Sequence, residues 1–201
     1  MSIAERKNQE KEEMTKRILD GARKVFLKNG YEHSSMRNIA EEINYSPGTL
    51  YFYFKDKGQI FHKLYEEGFQ LLLSKIKVLE NVEDPFERLK ASGKSFIQFA
   101  VENRDYYNLM FLIEETGDYK KKGHNLSSEI LANVKATVKA CQDQGRFKGM
   151  NIDYLAFMII STLHGISALF CKDRTRNFKE HTTEELMTHG YQCFVSILEK
   201  A

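Results

Sequence analysis

The sequence predicts an all-α fold of about nine helices. Apolar residues recur at helical spacing along most of the chain, and no stretch alternates apolar and polar residues for long enough to predict a strand. No hairpin dipeptide separates two β-branched runs. Hydrophobic residues make up 42% of the 201 residues. The chain is therefore long and apolar enough to bury a core, and it is not a disordered polypeptide.

The first three predicted helices follow one another closely. The first begins in the charged N-terminal segment and ends near Asn29, where an Asn-Gly pair is typical of a helix C-terminus. The second begins after Ser35, an N-cap residue. The third begins at Ser46-Pro47, with serine as the N-cap and proline at the first helical position. The turn between the second and third helices is expected to need a left-handed residue at Asn44, and asparagine tolerates that conformation.

The third helix has an unusual outward face. Only Leu50 and Phe54 are expected to point inward, at i and i+4 spacing. The residues left facing outward are a threonine and three aromatic side chains: Thr49, Tyr51, Phe52 and Tyr53. Large aromatic side chains are unfavourable on a face that contacts only water. The cluster therefore indicates a surface that contacts bases in a nucleic-acid groove.

The remaining helices are expected over residues 57–79, 85–102, 106–115, 127–144 and 152–171, with a last helix after Thr182. Asp56, Asp84 and Asp105 are the expected caps of the first three, and Thr182 with Glu185 forms a capping box for the last. Residues 117–125 are expected to form a basic loop. Together with the first three, these segments complete the nine helices.

The last two helices predict a seam between two copies of the chain. The helix over residues 152–171 is apolar nearly all round, so it must be covered on two sides. Its uncharged run approaches the length of a membrane span, but hydroxyl residues, a glycine and His164 interrupt it, so burial against protein is preferred and no membrane partner is expected. The expected dimer-interface residues are Leu155, Ile159, Leu163, Ile166, Phe170, Leu186, Gly190, Phe194 and Ile197, with His164 as a satisfied histidine in the seam.

Charge and residue types exclude several function classes. The net charge is only +2, so any contact with nucleic acid must rest on a local patch. No nucleophile–base pair, carboxylate dyad or phosphate loop indicates an enzyme, and the histidines and cysteines show no metal spacing, so no catalytic residue, metal or cofactor is expected. An odd number of separated cysteines and a charged N-terminus without an apolar h-region favour the cytoplasm.

The segment MRNIAEEINYSPGTLYFYFKDKGQIF resembles the TetR/AcrR family of bacterial transcription regulators. The family signature that ends the recognition helix stands here as Tyr51-Phe52-Tyr53-Phe54, and the correspondence covers roughly residues 15–75. The resemblance implies a helix-turn-helix DNA-binding domain over residues 1–57 and an effector-binding and dimerisation domain over residues 58–201. Asn44 stands where the family usually has glycine, and Gly58 stands where it favours an acidic residue.

Two sets of site residues follow from this resemblance together with the pattern. The expected DNA contacts are Ser35, Arg37, Ser46, Pro47, Gly48, Thr49, Tyr51, Phe52, Tyr53, Lys55 and Lys57. For Arg37 a surface ion pair with Glu41 is compatible with that role. An apolar effector pocket is expected from Tyr65, Phe69, Phe96, Phe99, Tyr107, Met110 and Phe111, for which plain core packing is the alternative.

The sequence therefore predicts a homodimeric, ligand-responsive DNA-binding regulator, a repressor that binds a roughly palindromic operator. Its expected partners are double-stranded DNA, a second copy of itself and an apolar or aromatic small molecule. The alternative is a small helical carrier of lipids or other hydrophobic ligands, or an enzyme, without DNA binding.

Overall fold

The computed structural model describes residues 2–114 and 124–201. Within these residues it contains nine α-helices, one short 3₁₀ helix at Val78–Asn81 and no strand, as predicted. The helices are α1 (Ile3–Asn29), α2 (Met36–Glu42), α3 (Pro47–Tyr53), α4 (Lys57–Lys77), α5 (Pro85–Glu102), α6 (Arg104–Phe111), α7 (His124–Asp143), α8 (Ile152–Cys171) and α9 (Thr183–Glu199).

The helix ends show why these segments fold locally. Ser35 and Ser46 accept hydrogen bonds from the third backbone N–H of α2 and α3 respectively. Asp84 caps α5, and Thr182 with Glu185 forms the predicted capping box of α9. Each cap satisfies backbone donors that a helix leaves free at its first turn.

Two predicted boundaries are wrong. Asp105 is not a cap, because α6 already begins at Arg104 and Asp105 lies in its first turn. His124 and Asn125 belong to α7 and not to the predicted basic loop. The rest of that loop, residues 117–123, lies outside the described residues.

The described residues group into two compact units. The first contains residues 2–68 with 108–114 and 124, and the second contains residues 69–107 and 125–201. The predicted domain boundary at residue 57 remains a prediction.

The first unit packs α1, α2, α3 and the start of α4 around an aromatic core. The ring of Phe26 lies 5.2 Å from that of Phe61, centroid to centroid, and Tyr31 lies 5.1 Å from Phe61. α1 approaches α2 closely at Gly21, where an added Cβ would lie 2.2 Å from the Ile43 side chain. This crossing therefore requires glycine, since a methyl group there would overlap Ile43.

The second unit packs α5 against α8 and α9. α9 reaches α5 through Tyr191, whose hydroxyl donates to the Lys90 carbonyl over the space left by Gly93. Burial raises the pKa of Tyr191 to about 12, so this donor keeps its proton. Arg104 at the start of α6 donates to the Cys171 carbonyl and to Asp173, which satisfies the C-terminal end of α8.

One side of α8 is buried within the chain and the other is exposed. Four of the predicted interface residues are buried in the same protomer: Leu155, Ile159, Leu163 and Phe194. The exposed apolar side chains of α8 are instead Tyr154 (76% exposed), Phe157 (70%), Met158 (57%) and Leu169 (47%). These four side chains are therefore covered within their own protomer, and the dimer interface itself remains a prediction.

The rest of the predicted interface set divides differently. Ile166, Phe170 and Leu186 are half-buried, whereas Gly190 and Ile197 are exposed. Among the described residues, α8 is the one helix long and apolar enough to cross a membrane, with a third of its apolar window buried in the chain. A core helix of a soluble protein meets the same criterion.

Candidate nucleic-acid interface

The turn between α2 and α3 adopts the predicted left-handed geometry. Asn44 has a φ of 59°, and the next residue, Tyr45, donates its N–H to the Ala40 carbonyl. The hydroxyl of Tyr45 accepts a hydrogen bond of 2.9 Å from Arg17 of α1. No local pattern predicts this contact, because Arg17 and Tyr45 are 28 residues apart in sequence. The turn is therefore held by its own backbone and by α1.

α3 presents the exposed aromatic surface expected of a groove-reading helix. Phe52 is 82% exposed and Tyr51 is 58% exposed, whereas Leu50 and Phe54 are buried as predicted. Thr49 and Tyr53 are half-buried, so they face outward less fully than predicted. The rings of Phe52 and Tyr53 meet edge to face at 5.3 Å. Exposed rings of this size are uncommon on a surface that only meets water.

The N-terminus of α3 is fixed by hydroxyl groups. The Ser46 hydroxyl oxygen accepts from the Thr49 N–H at 3.2 Å and lies 3.0 Å from the Thr49 hydroxyl. Ser46, Pro47 and Gly48 are all exposed. The start of this helix is therefore capped by its own side chains and exposed to solvent.

The cations predicted to contact phosphate differ in their surroundings. Arg37 is exposed and pairs with Glu41 at 3.0 Å, so the surface ion pair exists beside an accessible guanidinium. Lys55 is exposed. Lys57 is half-buried, and its ammonium donates to backbone carbonyls of the segment before α2. The structure thus places Arg37 and Lys55 at the surface and turns the Lys57 ammonium toward the protein.

The residues predicted for an effector pocket are divided between the two units, and their role remains a prediction. Tyr65, Met110 and Phe111 belong to the first unit, and Phe69, Phe96, Phe99 and Tyr107 belong to the second. A groove of about 830 Å³ between α5 and α9 has none of the seven among its lining residues. Phe69, Phe96, Phe99 and Tyr107 are buried, as the core-packing alternative requires.

A polar group lies among the aromatic rings of the second unit. The Tyr107 hydroxyl is 3.1 Å from the His164 Nδ1 and donates to the His164 carbonyl at 3.2 Å. The His164 ring lies 4.9 Å from the Phe96 ring. Burial raises the pKa of Tyr107 and lowers that of His164, so both side chains are neutral at pH 7. The His164 ring is therefore satisfied within its own protomer, and its place in a dimer seam remains a prediction.

The two buried thiols are unreactive by the same physics. Cys141 and Cys171 are buried, and burial raises the pKa of both thiols, that of Cys171 to about 11. A protonated thiol is a poor nucleophile and a poor metal ligand. Cys193 is exposed. No cluster of potential metal-binding side chains occurs in the part of the chain that the structure describes.

A capped helix-turn-helix with an exposed aromatic recognition helix, followed by a second helical unit, defines a helix-turn-helix DNA-binding protein. The family model "Bacterial regulatory proteins, tetR family" matches residues 18–64, and "Tetracyclin repressor-like, C-terminal domain" matches residues 89–193. The chain belongs to the TetR family of bacterial transcription regulators.

A curated relative agrees with this assignment. The chain is 30% identical over 93 residues to the HTH-type transcriptional regulator SAB2452 of Staphylococcus aureus. This match covers 46% of the chain and 50% of that protein. The chain thus spans about half the length of the curated relatives it matches.

Solved structures share the fold. AibR, solved with isovaleryl coenzyme A and operator DNA, has a TM-score of 0.76 at 19% identity, with 92% of this chain and 97% of that chain covered. FadR from Bacillus subtilis, solved with stearoyl-CoA, has a TM-score of 0.70 at 18% identity, with 90% and 97% covered. At these identities the likeness is one of fold.

Proposed function

We propose that this regulator is a cytoplasmic, ligand-responsive repressor that binds a roughly palindromic operator as a homodimer. The observation that supports this DNA-binding surface is the exposure of Tyr51 and Phe52 on α3, a helix that Ser46 caps. Aromatic rings can pack on thymine methyl groups in the major groove and supply base contacts.

Phosphate contacts are proposed around this helix. The proposed groups lie at the start of α2 (Ser35 and Arg37), in α3 (Gly48 and Tyr53) and just after α3 (Lys55), and all are at least partly accessible. Such contacts fix the register of the protein on the duplex without reading its sequence. With a net charge of +2, specific binding depends on these few groups more than on a general basic field.

DNA binding is tested by titrating the full-length protein against a duplex from its own promoter region and against a random duplex of equal length. The expected result is tighter binding to the promoter duplex at two salt concentrations. Equal affinity for both duplexes would contradict the proposed operator and favour a helical carrier of hydrophobic ligands.

The exposed face of α8 supports the homodimer. Tyr154, Phe157, Met158 and Leu169 lie on one exposed face of α8 at helical spacing, with Ser161 and Gly165 between the first three and Leu169, and Ile197 on α9 is also exposed. A large uncovered apolar patch is typical of a protein–protein contact. A two-fold dimer would place two copies of α3 one helical turn of DNA apart, which explains a palindromic operator.

The dimer is tested by sedimentation of two charge variants. Phe157→Glu places a carboxylate in the proposed interface and is expected to give monomers that lose operator affinity. Phe178→Glu is the matched control, because Phe178 is 56% exposed in the segment between α8 and α9, outside the α8 face. A Phe157→Glu variant that sediments like the control would refute this interface.

An acyl-coenzyme A effector is the ligand class that the comparisons favour. Two proteins of the same fold were solved with isovaleryl coenzyme A and with stearoyl-CoA. In this chain the candidate lining is the buried aromatic cluster of Phe96 and Tyr107 with the neutral His164; the Phe96 and Tyr107 rings are packed as core in the structure, so an acyl chain would enter by displacing part of that packing. Effector binding would shift the dimer between two half-site spacings.

The effector is tested by adding stearoyl-CoA, isovaleryl coenzyme A or free coenzyme A to the operator complex. An acyl-coenzyme A is expected to weaken operator binding, whereas free coenzyme A has no effect. A ligand that binds the DNA-bound and free forms equally cannot act. Release by none of the three would refute this ligand class, and a reporter gene under the promoter would distinguish repression from activation.

A further inference from the structure

The side chain of Lys57, the first residue of α4, holds the segment that joins α1 to α2. Its ammonium donates to the backbone carbonyls of Tyr31 at 2.8 Å, Ser34 at 3.0 Å and Glu32 at 3.3 Å. It also lies 4.4 Å from the centroid of the Tyr31 ring. The ammonium therefore closes one end of α4 on a segment more than 20 residues earlier in the chain.

The charges explain why a cation occupies this position. A lysine in the first turn of a helix is unfavourable by itself, because the helix N-terminus carries a partial positive charge. Three carbonyl oxygens that converge on one point are also unfavourable unless a donor reaches them. The Lys57 ammonium offsets both costs with charge-assisted hydrogen bonds.

The held segment is fixed on its other side as well. The Tyr31 ring lies 5.8 Å from the Phe26 ring and 5.1 Å from the Phe61 ring, so α1 and α4 enclose it. The Ser34 hydroxyl donates to the Gly30 carbonyl at 2.6 Å. The next residue is Ser35, the N-cap of α2, so the direction of α2 depends on this segment.

We propose that Lys57 is a positioning residue for the DNA-reading surface and does not itself bind phosphate. It fixes the direction in which α2 leaves the segment at residues 31–34, and so the place of Arg37 and of the turn before α3. This inference rests on the proposed DNA interface. It replaces the phosphate contact that the sequence predicted for Lys57, because that ammonium already has three acceptors.

The first test compares Lys57→Met with Lys55→Met in operator titrations at several salt concentrations. Met keeps the apolar stem of lysine and removes the N–H donors, and Lys55 is an exposed cation two residues away. The operator affinity of Lys57→Met is expected to be about tenfold lower than that of Lys55→Met. The salt slope of Lys57→Met is expected to equal the wild-type slope, since the slope counts neutralised phosphates. A slope shallower by about 1.8 would overturn the proposal, because the dimer would then lose two phosphate contacts, one in each protomer, at about 0.9 each.

A second readout separates this proposal from DNA binding itself. Amide hydrogen exchange of the free protein is expected to accelerate at Ser34, Asn38 and Ile39 in Lys57→Met, because their bonds lie in and just after the held segment. Lys57→Arg is expected to restore slow exchange and affinity, since a guanidinium can also donate to several carbonyls. Unchanged exchange in Lys57→Met would overturn the positioning role. If the wild-type protein fails to distinguish promoter from random DNA, the proposed operator fails while the exchange result stands.

Discussion

Phe52→Ala is expected to separate DNA affinity from folding stability. The Phe52 ring is 82% exposed in the free protein and contributes little to the core. Its removal should change the free energy of unfolding by less than about 0.5 kcal/mol, as for other surface substitutions. If the ring packs in the major groove, its removal should nevertheless weaken operator binding.

The size of the affinity loss follows from the exposed ring. Full burial of a phenylalanine side chain is worth roughly 1.5–3 kcal/mol, and a groove that covers about half of the ring would recover roughly 1 kcal/mol. Two protomers on one operator then lose about 2 kcal/mol, which is about 30-fold in affinity. Fluorescence anisotropy with a labelled operator duplex measures this difference.

Phe54→Ala is the matched control for this experiment. Phe54 is 7% exposed and follows Phe52 by two residues. Its truncation should cost about 3–5 kcal/mol of stability, as for other core phenylalanines. Operator affinity of Phe52→Ala within twofold of wild type would refute the assignment of Phe52 to the groove, whatever Phe54→Ala does.

Three further substitutions test the fold and the buried cluster. Asn44→Val forces a β-branched residue to a φ of 59° and should lower stability by roughly 1–2 kcal/mol in urea unfolding, whereas Asn44→Gly should not; equal midpoints would contradict the strained turn. Gly93→Ala would place a Cβ 2.7 Å from the Tyr191 hydroxyl, so Tm should fall. Tyr191→Phe removes that hydroxyl, so the Tm of the double variant should be higher than the sum of the two single effects predicts. A Tm change equal to that sum would exclude the clash. Burial lowers the pKa of His164 below its usual 6.5. The stability that this shift contributes is complete above pH 6.5 and is lost as pH falls through the folded-state pKa, so the Tm of the wild type should fall more steeply from pH 7 to 5 than the Tm of His164→Asn. Parallel Tm curves for the two proteins would show that His164 is not responsible.

The helix caps and the turn before α3 could be predicted because their signals are local. Ser35 and Ser46 each bond to a backbone N–H three residues later, and Asn44 needs only its own backbone to adopt a positive φ. The residue types and their spacing within one turn are sufficient for such features. The exposed recognition helix followed from the same short-range pattern.

The role of Lys57 could not be predicted in this way. Its hydrogen bonds reach residues 23 to 26 positions earlier, and nothing in the local pattern shows which carbonyls meet its ammonium. The requirement for glycine at residue 21 has the same origin, since Ile43 of a different helix fills the space above it. Features of this kind depend on how separate helices cross.

The inner and outer sides of α8 could not be predicted from the sequence, because this helix is apolar nearly all round. A helix with this composition carries no signal that distinguishes the side packed in the protomer from the side left for a partner. Leu155, Ile159 and Leu163 proved to be on the inner side, and Phe157 and Met158 on the outer. Only the packing of α5 and α9 against α8 determines which side of α8 is buried in the protomer.

The exposed face of α8 has a consequence for how the regulator responds to its own abundance. With that face as the dimer contact, the concentration of DNA-binding dimers rises with the square of the monomer concentration when monomers dominate. A cell with few copies would then hold mainly monomers with an apolar surface open to proteases and chaperones. Promoter occupancy would therefore rise more steeply than the protein level, so small changes in synthesis could switch the promoter over a narrow range.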